Sequence, residues 1–199
     1  MSKKGGMSAE RLAAFTDGVL AIAITIMVLE LRVPENGSFE ALRASVPVLL
    51  AYVLSFINVG LYWNNHHHML HATERIDGRV LWANMFLLFW LSLVPFVIRW
   101  LNAGDFAAAP VAAYGVVLGM AAVGYELTER AIIACNGKDS AVARAVSADR
   151  NLKGKISLLL YALAVPLAFV TRELALLFYI AVILLWLVPD RRIEKVLRD

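Results

Sequence analysis

The stretch "RLAAFTDGVLAIAITIMVLEL", Arg11 to Leu31, decides how the chain is read. From Gly18 to Leu29 it is apolar except for Thr25, and residues 12–32 are long enough to cross about 30 Å of hydrocarbon at about 1.5 Å per residue. Yet Arg11 and Asp17 stand near its start and Glu30 at its end. An ionised group at mid-helix in lipid costs about 2.5–3.5 kcal/mol on insertion scales and less towards the ends. Charges at these positions therefore call for partners.

The rest of the chain has the same character. Of 199 residues 60% are apolar and 18% charged, against about 45–50% and about 25% in soluble domains. That shift, with long apolar runs, indicates an all-α, multi-pass membrane protein. A net charge of +3 leaves no basic tail for nucleic acid. The single cysteine, Cys135, excludes an internal disulfide framework and a thiolate metal cluster. Lys3 and Lys4 are followed by Glu10, Arg11 and Asp17 before any apolar run, so a cleavable signal is not expected.

Six segments have spanning length, near 12–32, 43–68, 79–101, 108–134, 154–171 and 173–189. "VPENGS" (Val33 to Ser38) and "NAGD" (Asn102 to Asp105) read as turns, "NGKDS" (Asn136 to Ser140) opens the longest loop, and "TRE" (Thr171 to Glu173) joins the last two segments as a hairpin. No duplication or low-complexity tract divides residues 1–199, so a single six-span domain is expected. The N-terminus, the second and fourth connections and the C-terminus hold fifteen Lys and Arg; the other side holds four, Arg32, Arg43, Arg99 and Arg172. The positive-inside rule then puts both termini in the cytoplasm.

With that topology several polar residues share one depth. Arg11 and Asp17 start the first span, "WNNHHH" (Trp63 to His68) ends the second, and Asn84 lies about one turn into the third. Pairing Asp17 with Arg11, His66 and Asn84 would offset its burial and tie three helices together. His67 and His71 share a helix face, as zinc ligands often do, but no H-E-x-x-H pattern or second ligand cluster accompanies them, so no metal is expected. "VGYE" (Val123 to Glu126) lies inside a helical run and is no selectivity filter. Gly115 and Gly119 form a G-x-x-x-G pair suited to close helix packing. For Glu30 the plain expectation is an outer-mouth partnership with Arg32.

Ile22, Ile26 and Leu29 follow i, i+4, i+7 spacing and share one stripe. Such a stripe is ordinary helix–helix core, or, repeated around a symmetry axis, a hydrophobic constriction that gates ions by dewetting.

The segment "RLAAFTDGVLAIAITIMVLELRVP" is similar to the first-helix signature of the transmembrane-protein-175 family of potassium channels, in which Arg, three residues and Phe-Ser-Asp lead into Ala-Ile-Ala-Ile-Thr. Here those positions are Arg11, Phe15, Thr16, Asp17 and Ala21 to Thr25. "YWNNHH" (Tyr62 to His67), "RIDGRVLWAN" (Arg75 to Asn84), Pro95 and Phe96 continue the pattern, which covers the first hundred residues. The second half is generic beyond the six-span layout. Thr16 departs from the usual serine but keeps the hydroxyl.

The resemblance implies a P-loop-free cation channel: six transmembrane helices per subunit, assembled as a prokaryotic homotetramer with first helices lining a central pore. It places the first constriction at Ile22 and a polar pore position at Thr25, with Ile26 and Leu29 continuing outward. It also implies a structural polar network of Arg11, Phe15, Thr16 and Asp17, with His66 and Asn84 as partners. The permeant ion is potassium, with other monovalent cations, in contact with membrane lipid and with no cofactor and no catalytic residue. A hydrophobic ring requires the ion to shed water, which favours potassium modestly over sodium. Three further readings stand beside this one: a proton-conducting or proton-coupled cation pathway using Asp17 and the histidines, a metal enzyme built on "HHHMLH", and a structural scaffold.

Overall fold

The structure is a computed structural model and describes residues 8–31, 34, 36, 38–145 and 148–187. Lys3 and Lys4, Arg32, residues 188–189 of the sixth segment and the basic residues beyond them lie outside this range. Nine helices form the described chain, and no strand occurs among the described residues. They are α1 (Ala9–Leu29), α2 (Phe39–Ala44), α3 (Val46–His71), α4 (Gly78–Ser92), α5 (Val94–Ala103), α6 (Ala108–Asn136), α7 (Ala141–Ala145), α8 (Ala148–Leu167) and α9 (Arg172–Leu187).

Local chemistry sets the boundaries. Ser8 caps α1 by accepting from the Arg11 N–H at 3.3 Å, and Asp77 caps α4 by accepting from the Arg79 and Val80 N–H groups. Each cap satisfies donors that a first helical turn leaves open. The expected third segment, 79–101, is one apolar run of 26 residues, Gly78 to Ala103, interrupted at Leu93. Pro95 has no N–H to return to Leu91, so the hydrogen-bond ladder skips there. The expected second segment, 43–68, divides likewise into α2 and α3 at Ser45, with Pro47 in the first turn of α3. The turn at Asn102–Asp105 closes with Asp105 and Phe106 in left-handed conformations, φ 46° and 54°.

Four runs, α1, α3, α4 with α5, and α6, are long and apolar enough to cross a membrane among the described residues. The fifth and sixth expected segments are helices with shifted bounds. α8 starts at Ala148, earlier than 154, and carries Lys153 and Lys155 in its first half; α9 has 16 residues.

α6 is the hub, packed against α4, α5, α8 and α9, while α1 packs against α3, α4 and α5. Glycine permits the tightest approach. A Cβ on Gly124 would lie 2.7 Å from the Leu87 Cα, so α6 meets the α4 backbone there. The expected glycine pair faces elsewhere: a Cβ on Gly115 would fall on the Tyr179 hydroxyl of α9, and one on Gly119 would lie 3.2 Å from the Tyr161 Cβ of α8. Tyrosine hydroxyls buried in this core are satisfied, Tyr179 donating to the Val111 carbonyl at 3.1 Å and Tyr114 sharing a 2.8 Å bond with Ser55.

Candidate functional site: the first helix and its polar anchor

α1 has two unlike faces. Leu12, Thr16, Leu20, Ala23 and Met27 recur at helical spacing and are buried against α3, α4 and α5. Ile22, Ile26 and Leu29 lie on the other side and are 62%, 42% and 76% exposed in the subunit. Thr25 is on that exposed side too. Its hydroxyl donates to the Ala21 carbonyl at 2.8 Å, which spends its hydrogen and leaves the oxygen an acceptor.

The expected polar residues separate into a buried triad and a surface pair. Asn84 of α4 donates through Nδ2 to Thr16 Oγ1 at 3.1 Å and accepts through Oδ1 from His66 Nε2 at 2.7 Å. All three side chains are buried. With the Asn84 amide in this orientation, His66 carries its proton on Nε2. One asparagine thus joins the start of α1, the end of α3 and the start of α4. Asn84 and Thr16 are neutral groups, so neither brings a charge of its own into the junction.

Asp17 is bound differently from the expectation. Its Oδ1 accepts from the Trp63 indole N–H at 2.8 Å, and it is exposed in the subunit. It has no bond to Arg11, His66 or Asn84 among the described residues. The physical reason is position: one residue after Thr16, about 100° around the helix, Asp17 turns away from the triad towards the flank of α3. Arg11 is exposed and has no ion pair among the described residues, and Phe15 is 50% exposed. Arg11 and Phe15 therefore lie outside the hydrogen-bonded network in the subunit.

Trp63 carried no expectation of its own. Its ring also stacks on His67 at 5.7 Å between centroids, and His67 meets His71 edge-on at 4.2 Å. Indole is an N–H donor on a large apolar body, the type of residue that sits where one end is apolar and the other polar. The quoted "YWNNHH" contained it, one turn before the histidines.

Two further contacts fix the ends of this region. Glu30 pairs with Arg99 of α5 at 3.5 Å; its expected partner, Arg32, lies outside the described residues. Asn136, at the end of α6, accepts from the Glu74 and Arg75 N–H groups at 3.2 and 2.9 Å and donates to the Arg75 carbonyl at 2.9 Å, latching the α3–α4 loop to α6.

Comparison with known proteins gives this arrangement its context. Residues 11–95 match the family described as "Endosomal/lysosomal potassium channel TMEM175". A potassium channel of Chryseobacterium sp. (strain P1-3) is 48% identical over 193 residues, 97% of this chain and 100% of that protein. The human endosomal/lysosomal proton channel TMEM175 is 41% identical over 81 residues, 34% of this chain and 16% of that protein. The crystal structure of a lysosomal potassium-selective channel TMEM175 homolog from Chamaesiphon minutus superposes with a TM-score of 0.73 at 26% identity, covering 89% of this chain and 95% of that one. Similarity that runs nearly the whole length of the chain, on an all-helical fold with four membrane-length apolar runs, makes this protein a membrane ion channel of the TMEM175 family.

Proposed function

We propose that the chain is a potassium-permeable channel in which four copies surround an axis lined by α1. The observation that carries this reading is the exposed stripe. Ile22, Ile26 and Leu29 are left uncovered on a helix whose opposite face is held by three others. The Thr16–Asn84–His66 junction fixes the rotation of α1 and so aims that stripe. Around the axis, Ile22 forms the narrowest ring, Ile26 and Leu29 extend it outward, and Thr25 offers an oxygen between them. The lining helix uses its own carbonyls internally, so selectivity comes from the dehydration the ring demands. In this assembly α8 and α9 complete six spans, both termini face the cytoplasm of a prokaryotic cell, and Arg11, Phe15 and Asp17 meet neighbouring copies at the inner mouth.

Recording from purified protein in planar bilayers with potassium and sodium gradients tests the reading. Unitary potassium currents are expected, and Ile22→Asn raises the current and weakens discrimination between the ions. An unchanged permeability ratio in that variant would defeat the assignment of the ring. The second reading, a proton pathway, draws on the titratable groups Asp17, His67 and His71, which contact one another in series across the Trp63 ring. It predicts a reversal potential that follows the proton gradient and ignores potassium.

A further inference from the structure

A cavity of about 170 Å³ lies between α3, α6, α8 and α9, and no residue of α1 lines it. Four aromatic rings, Tyr62, Tyr125, Tyr161 and Trp186, face it, with Val182 and Ile183 on the α9 wall. The polar groups around it are mostly spent within the protein. Tyr125 donates to the Asn65 carbonyl at 3.4 Å, Tyr62 donates to the Leu118 carbonyl at 3.5 Å, and Trp186 donates to Ser157 at 2.9 Å. Glu126, at the more polar end, is paired with Arg130 at 2.9 Å. Asn58 differs: it lines the cavity, is 4% exposed, its side chain bonds to Tyr161, and its Oδ1 has no hydrogen-bond partner among the described residues.

Those features define a ligand. Apolar surface makes up the larger part of its wall, and an apolar cavity of about 150 Å³ takes up benzene. The unmet oxygen asks for one donor. We propose that this cavity is a binding site for a small uncharged aromatic molecule bearing a single N–H or O–H group, which stacks among the tyrosines and donates to the Asn58 amide oxygen. The site is separate from the α1 face, so the proposal does not depend on how ions pass.

Gly154 supplies the test. It lines the cavity, and a Cβ built on it meets nothing within 4 Å. A side chain therefore has room to start there, so Gly154→Leu is expected to occupy the site and Gly154→Ala barely to intrude. The probe is 5-fluoroindole titrated into purified protein in detergent and followed by fluorine NMR, with empty micelles as the reference. A saturable, protein-dependent signal is expected, kept by Gly154→Ala and weakened at least about tenfold by Gly154→Leu, by occupation of the volume. Unlabelled indole should displace it roughly fivefold better than indene, which lacks the N–H, as one neutral hydrogen bond would give. That preference should vanish in Asn58→Leu. A signal equal to that of micelles alone, equal affinity in Gly154→Leu, or equal displacement by indole and indene in the wild type would each overturn the proposal. If Gly154→Leu does not purify folded, Gly154→Val makes the same comparison.

Discussion

α1 and α6 flank α4 and look alike in sequence, yet they are buried to opposite degrees. In its most apolar stretch α6 is 56% buried, while α1 is 28% buried although it has the higher mean hydropathy. In water the more apolar helix would be expected inside. Here the outer solvent is itself apolar, so apolarity ceases to decide which helix is central. Small residues do: α6 approaches α4 at Gly124, and its Gly115 and Gly119 admit Tyr179 and Tyr161. On α1 the buried Thr16 meets Asn84 and the exposed Thr25 turns its hydroxyl onto the Ala21 carbonyl of its own helix, because a polar atom must find a partner inside the protein and an exposed isoleucine need not.

The sharpest way to break this contrast is to enlarge the hub. A Cβ at Gly124 already meets the Leu87 backbone at 2.7 Å, and backbone cannot rotate away. Gly124→Val should destabilise by about 3 kcal/mol or more, the upper range of overpacking, read as a lower melting temperature in detergent. Next comes the polar junction on the other side of α4. Asn84→Leu strips His66 Nε2 and Thr16 of their shared partner and should cost about 1–3 kcal/mol for each buried group left unsatisfied. Thr16→Ser keeps the hydroxyl and should melt close to wild type, which separates loss of the bond from loss of shape.

What the sequence made legible follows the same division. Residues whose chemistry is local were readable: the apolar runs, the punctuation by proline and glycine, and the shared depth of the first helix start, His66 and Asn84, with Thr16 named only through the family resemblance. Partners chosen by helix rotation were not. Asp17 was expected to join that cluster, but one residue of helical phase carries it to Trp63. Glu30 pairs across helices with Arg99, a partner set by how α1 and α5 face each other. The glycine motif at Gly115 and Gly119 was visible because its spacing is known, whereas Gly124 has no motif and reveals itself only against Leu87. The Asn136 latch joins residues 61 positions apart and left no trace in either segment. Of the stripe Ile22, Ile26 and Leu29, spacing alone gave a shared face and the structure gives its exposure in one subunit.

That exposure yields a milder test. Ile22→Ala at a packed position would cost about 2–5 kcal/mol. On the open face of α1 it should move subunit stability by no more than about 0.5 kcal/mol, while conduction in bilayers changes. A melting temperature that falls as far as that of Asn84→Leu would mean that the stripe is packed core, and the contrast between the two faces of α1 would fail.

The smallest effect is expected at the start of α4, the helix that touches both α1 and α6. Asp77 accepts from the backbone N–H of Val80 and from the side chain and N–H of Arg79, and these donors hold its carboxyl below the ordinary aspartate value of 3.8. The unfolded chain, with the higher pKa, binds the proton first as pH falls, so the contribution of the cap is fully present above 3.8 and is lost as pH drops through the folded value. Arg79 is largely in solvent, which screens its part. Asp77→Asn retains a capping oxygen but no titrating group. Comparing melting temperatures at pH 6 and pH 3, the wild type should lead the variant slightly at pH 6 and lose that lead at pH 3. A gap that does not change with pH would assign the cap to hydrogen-bond geometry alone, and the charge on Asp77 would then contribute nothing to holding α4 between its two unlike neighbours.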